Sequence, residues 1–495
     1  MKQCVVIGSG LAGLATAVIL AKNGYQVTVL EQGAQMGGCL QCFTRGGAMF
    51  DTGMHYVGSA DPGQTMHTML RYLELGDRIP LARLDSSGYD IIALNGERYP
   101  LANGEQRFVD TLAKHFPECR EQLRQYHRLV TRVASSAVMH SLDPEQDLQG
   151  NAPYRLRSVN EVVDSVVTHP VLQQVLAGIQ PLYAGERDRT PFATHALISD
   201  FFNQSAFRIV GGSAVVAQAL ADVLAAHGGR VLLRHKATHV DCDDTRAVAV
   251  MTDVGERFPA DWVVSTIHPA STMRLVDSHL IRPSYRRRLT QARNTTSVFT
   301  VYLKFSKDKV PYMNHNLYVY QGNTTWGCEQ YDEASWPKYL LYMHLCHCAN
   351  PLFAQTGQIM TYMRYDEVQQ WAGTPIGRRG AGYEDFKHRK AERLIQALET
   401  EVPALRGNIE RYYTSTPLTY ASYTGTPQGA MYGIARDVNE PVGGSIASRT
   451  RIPNLLLAGQ SITAHGMLGV LAGSFLACAE VLTLPTIIEQ LKFSR

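Results

Sequence analysis

Cys4-Val5-Val6-Ile7-Gly8-Ser9-Gly10-Leu11-Ala12-Gly13 is the stretch on which the reading of the fold turns. A short apolar run closed by glycine suits a strand buried on both faces. The glycines that follow answer three separate constraints. Gly8 permits the tight turn, Gly10 lets the backbone approach a pyrophosphate, and Gly13 lets helix and strand pack closely. The helix that opens at Leu11 and Ala12 turns unpaired N–H groups and a positive dipole end toward phosphates.

Working outward, the helix runs to about Asn23 and stops at Gly24, and Gln26-Val27-Thr28-Val29-Leu30 is a second strand. Glu31 at its end is placed to accept hydrogen bonds from ribose hydroxyls, and its charge disfavours a 2′-phosphate. Gly211-Gly212 opens a second stretch of this kind: a helix over about 213–226, Gly228-Gly229, and the strand Arg230-Val231-Leu232-Leu233. Trp262-Val263-Val264-Ser265 closes it. A third stretch comprises the strand Asn454-Leu455-Leu456-Leu457-Ala458, Gly459, and a glycine-punctuated helix from Met467 to about Leu484. Between them, residues 85–195 read as largely helical. Residues 275–420 mix strands such as Val298–Leu303 with a helix near Tyr383–Leu398.

The expected class is therefore α/β: a discontinuous Rossmann-type nucleotide domain (1–84, 196–274 and 421–495) with an inserted mixed α+β substrate domain (85–195 and 275–420). The 495 residues, 45% apolar and 18% charged, are those of an ordinary globular chain. A net charge of +3 without a basic stripe excludes a nucleic-acid footprint. Nine cysteines without framework spacing argue against a disulfide scaffold. The chain passes from Met1 straight into a strand, so no signal peptide is expected. The apolar run 470–488 is broken by Glu480 and Pro485 and is not expected to span a membrane. A cytoplasmic protein, peripheral to a membrane at most, is the expectation.

Gln32-Gly33-Ala34-Gln35-Met36-Gly37-Gly38, together with Leu455–Ser461 and Gly466-Met467-Leu468-Gly469, resembles the large FAD-dependent family that contains amine oxidases and phytoene desaturases. Phe50-Asp51-Thr52-Gly53-Met54-His55-Tyr56-Val57-Gly58 narrows the likeness to the retinol saturase group of the carotenoid desaturase/isomerase family. Tyr89–Ile92 with Tyr99–Leu101, Asn316–Tyr320, Gly382–Lys387, Thr416–Thr419 and Pro427–Gly433 agree with it. The resemblance covers nearly the whole chain and is weaker from about 120 to 180. It implies FAD as cofactor, held by Gly8, Gly10, Leu11, Ala12, Gly13, Glu31, Gln32, Gly37, Gly38, Gly53, Met54, His55, Ala237, Gly459, Gln460, Ser461, Met467 and Leu468. Related sequences commonly carry an acidic residue near Ser461, so a hydroxyl or a backbone N–H takes over there. The implied chemistry is exchange of hydride or electrons with a lipophilic conjugated substrate: saturation of a C=C bond, or else desaturation or cis/trans isomerisation. No second nucleotide fingerprint is present, so NAD(P)H, if used, binds transiently or reduces the flavin through an electron-donor protein.

His55 and His465 are the candidate catalytic residues. An imidazole beside a flavin can donate a proton to carbon, or it can pack and hydrogen-bond without proton transfer. Phe201, Phe202, Tyr318, Tyr320, Tyr423 and Tyr432 are able to line an apolar pocket, although large aromatics are more often core. Cys39 and Cys42 are spaced C-x-x-C, shorter than the redox pair of flavin disulfide reductases, so no dithiol role is expected. His344, Cys346 and Cys348 share one face if Tyr339–Cys348 is a strand. Zinc would need a fourth ligand, and no metal site is expected.

Overall fold

The computed structural model describes residues 1–440 and 446–495; residues 441–445, inside the third nucleotide-domain piece, lie outside the described residues. Gln3–Ile7 becomes the middle strand of a five-stranded parallel sheet. Gln26–Leu30 and then Arg230–Leu232 lie on one side of it, and Trp262–Ser265 and then Leu455–Leu457 on the other. Three stretches distant in sequence thus complete one sheet, because each brings a short apolar strand able to be covered on both faces. The helix Leu11–Lys22 is apolar all round, and every residue from Ala12 to Ala21 is buried. It is enclosed by the sheet and by the helices Ala214–Ala226 and Gly466–Leu482. Small residues permit that packing: Ser474 Oγ donates to the Ala12 carbonyl and Cys478 Sγ to that of Thr16.

Four other sheets are found among the described residues, two of which bear on the site. Ala237–Cys242, Ala247–Thr252 and Arg257–Pro259 form a small antiparallel meander, which the sequence reading did not include. A seven-stranded sheet runs in the order 409–415, 297–305, 356–363, 339–344, 316–320, 90–94, 97–101. The hairpin of the first inserted segment enters this sheet by pairing Asp90–Ala93 in parallel with Asn316–Val319. The rest of that segment is helical, as expected, with Glu105–Leu112, Arg120–Ser135 and Val159–Val166 among its helices.

The segment bounds 195/196 and 420/421 lie within the helices Phe192–Gln204 and Pro417–Thr424. Some expected element ends shift. The last long helix ends at Leu482, where Thr483 takes φ +77°, and Leu484–Lys492 continues as a separate helix. The strand expected over Tyr339–Cys348 ends at His344. His344 is a core residue: Nδ1 accepts from the Met313 N–H (3.0 Å) and Nε2 meets the Tyr342 hydroxyl (2.5 Å). Cys346 and Cys348 follow in a loop, and the Cys346 thiol donates to the Cys348 carbonyl, so the three residues do not share a strand face.

A buried polar network joins the two inserted segments. Asp90, fully buried, accepts from the Asn316 amide (2.8 Å) and the Tyr56 hydroxyl (3.0 Å). Burial pushes its pKa up to about 7. The folded state therefore favours the protonated acid. Its stabilising contribution is complete below the unfolded value of about 4 and is lost as pH rises through about 7. Asp90→Asn should accordingly flatten the fall in melting temperature of the wild-type protein between pH 5 and 8. Parallel melting curves for the two proteins over that range would show that the carboxyl group does not carry this dependence.

Candidate active site

The turn after the first strand is built from backbone. Gly8 adopts φ +98° and its N–H donates to Leu30 (2.8 Å). Ser9 accepts from Gly37 (3.0 Å), and Gly10 and Gly37 lie side by side in a single parallel bridge. A Cβ on Gly38 would stand 3.1 Å from the Gly10 Cα, whereas one on Gly10 would meet nothing within 4 Å. Gly10 thus borders open space. The helix beyond it starts with no side-chain cap and no acidic residue in its first turn, so the N–H groups of Leu11, Ala12 and Gly13 address that space. Glu31 is held at the strand end: Oε2 accepts from the Ser9 N–H (3.0 Å) and hydroxyl (2.6 Å), and Oε1 from the Gly33 N–H (2.7 Å). Gln32 is exposed beside it. Ala237, buried, begins the meander two residues after His235, whose N–H donates to the Glu31 carbonyl (2.8 Å).

A second uncapped helix start lies at the same carboxyl edge of the parallel sheet. Gly459, at φ +105°, turns the chain after Leu455–Leu457, and the helix Gly466–Leu482 begins behind His465 without a cap or an acidic first turn. The Ser461 Oγ accepts from the Ile434 N–H (3.3 Å), and a Cβ on Gly433 would overlap it. Arg436 is a residue that sequence reading missed. Its Nη2 donates to the carbonyls of Ile462 (2.8 Å) and Thr463 (3.2 Å), bracing the turn that leads into the helix. Burial lowers its pKa to about 10.

Both ends open on one cavity of about 810 Å³. Leu11, Gly37, Gly53, Met54, Gln460, Met467 and Leu468 border it, whereas Gly8, Gly10, Gly13 and Glu31 belong to the adjoining loop. The far wall is apolar and comes from Leu341, Met343 and Met360 of the seven-stranded sheet and Leu197, Phe201 and Phe202 of a helix. Of the six expected aromatics, Phe201, Phe202 and Tyr432 line the cavity. Tyr318 and Tyr320 are core residues whose hydroxyls bond Tyr56 (2.8 Å) and the Gly178 carbonyl (2.7 Å), and Tyr423 is exposed. Tyr56, Tyr339 and Tyr420 line it in addition; strand alternation and a motif without periodicity gave no sign of them.

Both candidate histidines reach this cavity. His55 Nδ1 accepts from the Gln358 amide (2.5 Å), and its buried Nε2 has no partner. His465 stacks on Tyr432 with ring centroids 4.5 Å apart, and its Nε2 is likewise buried and unpartnered. Burial, reinforced by the positive charges of Arg208 and Arg436 respectively, lowers both pKa values to about 3. Both rings are therefore held toward the uncharged form at neutral pH. Cys39 borders the cavity, but Cys42 is buried and donates to Asp51 Oδ1 (3.1 Å). Burial and that carboxylate push the Cys42 thiol up to about 12, and the two remain separate thiols. Among the described residues no cluster of three or more side chains could hold a metal ion.

Two uncapped helix starts bordering one cavity, a glycine-lined space and a fixed carboxylate fit a dinucleotide with a pyrophosphate and a flat ring. Substitution separates the cradle from the packing. Gly10→Val should fill the phosphate space and yield folded protein with little flavin, read from absorbance near 450 nm after purification. A Cβ on Gly13 would overlap the Gly8 carbonyl oxygen. Gly13→Ala should therefore destabilise the fold itself by about 1–3 kcal/mol or more. Full flavin content in Gly10→Val would remove the phosphate from this loop.

Comparison with known proteins agrees with this geometry. Residues 11–482 match the family described as flavin containing amine oxidoreductase. The chain is 30% identical to the all-trans-retinol 13,14-reductase of Homo sapiens, over 97% of this chain and 85% of that one. It is 22% identical to prolycopene isomerase 1, chloroplastic, of an Oncidium hybrid cultivar, over 96% and 83%. A crystal structure of an oxidoreductase from Methanosarcina mazei shares the fold, with TM-score 0.64 at 15% identity over 95% of this chain and 98% of that one. The chain belongs to the flavin containing amine oxidoreductase family, and its cofactor is FAD.

Proposed function

We propose that this oxidoreductase acts on CH–CH groups, saturating one double bond of a lipophilic conjugated polyene or isoprenoid. The observation that carries the reading is the cavity itself, where an uncapped helix start and two neutral histidines meet an apolar wall. The likeness to all-trans-retinol 13,14-reductase supports saturation. The weaker likeness to prolycopene isomerase supports the second reading, redox-neutral isomerisation or desaturation on the same flavin.

In this reading residues 1–84, 196–274 and 421–495 hold the cofactor, and 85–195 with 275–420 enclose the substrate. Gly8, Gly10, Leu11, Ala12 and Gly13 would bind the pyrophosphate; Glu31, Gln32 and Ala237 the adenosine half. Gly37, Gly38, Gly53, Met54 and His55 would meet the flavin half from one side. Gly459, Gln460, the Ser461 backbone, Met467 and Leu468 would meet it from the other. FAD held there would, in its reduced form, supply the hydride chemistry for one carbon of the double bond. His55 and His465 would meet the reacting atoms through Nε2 as uncharged hydrogen-bonding groups, since neither ring stores a positive charge at neutral pH, and the proton that accompanies the hydride would be drawn from water. Reducing equivalents arrive from NAD(P)H bound transiently or from an electron-donor protein.

Anaerobic single turnover tests the reaction: the flavin is reduced, all-trans-retinol is added, and flavin reoxidation is followed together with product mass. A product two hydrogens heavier is expected, and an unchanged mass with altered geometry would transfer the assignment to isomerisation. His55→Ala should keep its flavin and slow reoxidation by about 10²-fold or more.

A water-insoluble substrate must come from lipid. No helix among the described residues is long and apolar enough to cross a membrane. Leu156, at the edge of the cavity, is 63% exposed and Leu148 close by is 70% exposed, an apolar rim suited to peripheral contact with a bilayer. The protein should float with liposomes, and Leu148→Ser/Leu156→Ser should float less. Absence of wild-type protein from the lipid fraction at both low and high salt would remove the membrane from this reading.

A further inference from the structure

Gln358 is a polar residue in an apolar wall. Its strand, Thr356–Met363, is buried at every position. Side chains alternate along a strand, and directly opposed residues of an antiparallel pair point to the same face. Gln358 opposes Met343 and Met360 opposes Leu341, so these four project together on the cavity side. Three are apolar, and the fourth is an amide that is 7% exposed. Burying an amide is costly unless it is hydrogen-bonded, and this one donates from Nε2 to His55 Nδ1 at 2.5 Å.

That bond has a consequence at the opposite side of the ring. In neutral imidazole one nitrogen carries the proton and the other accepts. With Nδ1 accepting from Gln358, the proton resides on Nε2, the atom that is buried and has no protein partner. The surroundings keep the ring neutral. Arg208, fully buried, donates to the carbonyls of His315 (2.7 Å) and His344 and to Asn316 Oδ1 (3.0 Å), and its charge opposes protonation of His55. Tyr56, His140, Tyr339, Tyr420, Tyr432 and His465, which line the same cavity, are all pushed toward their uncharged forms by burial. Arg436, Asp437, Asp147 and Arg155 are the charged residues on its border.

We propose that Gln358 is a positioning residue that fixes the tautomer of His55, so that Nε2–H is presented as a hydrogen-bond donor to an acceptor atom of the molecules bound in the cavity. The acceptor is a heteroatom of the flavin ring or an oxygen of the substrate; the function of the donor rests on the flavoenzyme reading above, and the tautomer does not. His55 then polarises its partner as a neutral donor. Replacing the amide by a carboxylate reverses the arrangement: Glu at 358 accepts from Nδ1, moves the proton off Nε2 and favours the imidazolium.

The test is ¹⁵N NMR of histidine-labelled holoenzyme, with His55 assigned through His55→Gln. The wild type should show a protonated Nε2 and a bare Nδ1 throughout pH 5–8, and Gln358→Glu should show a protonated Nδ1. Gln358→Leu should mix the two tautomers and slow reoxidation of the reduced flavin about tenfold, with flavin content retained. In Gln358→Glu the reoxidation rate should gain a histidine-like pH dependence between pH 5 and 8 that the wild type lacks. A change in the Nε2 resonance on flavin reduction alone assigns the acceptor to the flavin, and a change only on adding all-trans-retinol assigns it to the substrate. A wild-type Nδ1–H tautomer, or an Nε2 resonance unmoved by both, overturns the proposal. The wild-type spectrum decides the tautomer even if the variants fail to fold or retinol is not turned over.

Discussion

A Cβ at Gly13 would overlap the carbonyl oxygen of Gly8, and the absence of that one carbon lets the first helix lie flush against the turn that precedes it. Much of the site follows from this contact. It brings the start of Leu11–Lys22 over the carboxyl ends of the parallel strands, with Gly10 bordering open space. The same helix, apolar on every side, is the surface on which Gly466–Leu482 packs through Ser474 and Cys478. Two helix N-termini are thereby aimed at one volume. Neither carries a capping side chain, and two uncapped dipole ends are most favourably answered by an anion or an electron-rich ring edge.

The inserted sheet gives the cavity its other wall and its electrostatic character. Charges close to the reacting region are either buried and paired or displaced by uncharged groups. Arg208 directs its donors to backbone carbonyls and Asn316, and Asp90 is satisfied by Asn316 and Tyr56 and pushed by burial toward its protonated form. Such a network is costly to leave half-satisfied. Against that background the Nε2 atoms of His55 and His465 stand out, since both are buried, border the cavity and lack a protein partner. In a dry, apolar enclosure a neutral donor acts more strongly than it would in water, which suits a site that must polarise a substrate without housing a charge.

What could be read from the amino-acid sequence was what is local in the chain. Strand, glycine turn, helix and acidic strand end occur within thirty-one consecutive residues, so the nucleotide fold and its cofactor class were legible from Gly8, Gly10, Gly13 and Glu31. Their constraints are met by neighbours a few positions away. The glycine-marked starts at Gly211 and Gly459 were legible for the same reason. What depended on distant partners was not. That the Ser461 Oγ accepts from Ile434, and that Tyr318 and Tyr320, open by type to either core or pocket, bond within the core, rests on residues far along the chain. Tertiary structure alone decided that Gln358, some three hundred positions from His55, occupies the inward face of a buried strand and bonds that ring. It alone decided that burial beside Arg208 leaves His55 neutral. A sequence records which residues can donate, accept or titrate; only the folded chain sets the distance and the dielectric surroundings that determine what each one does.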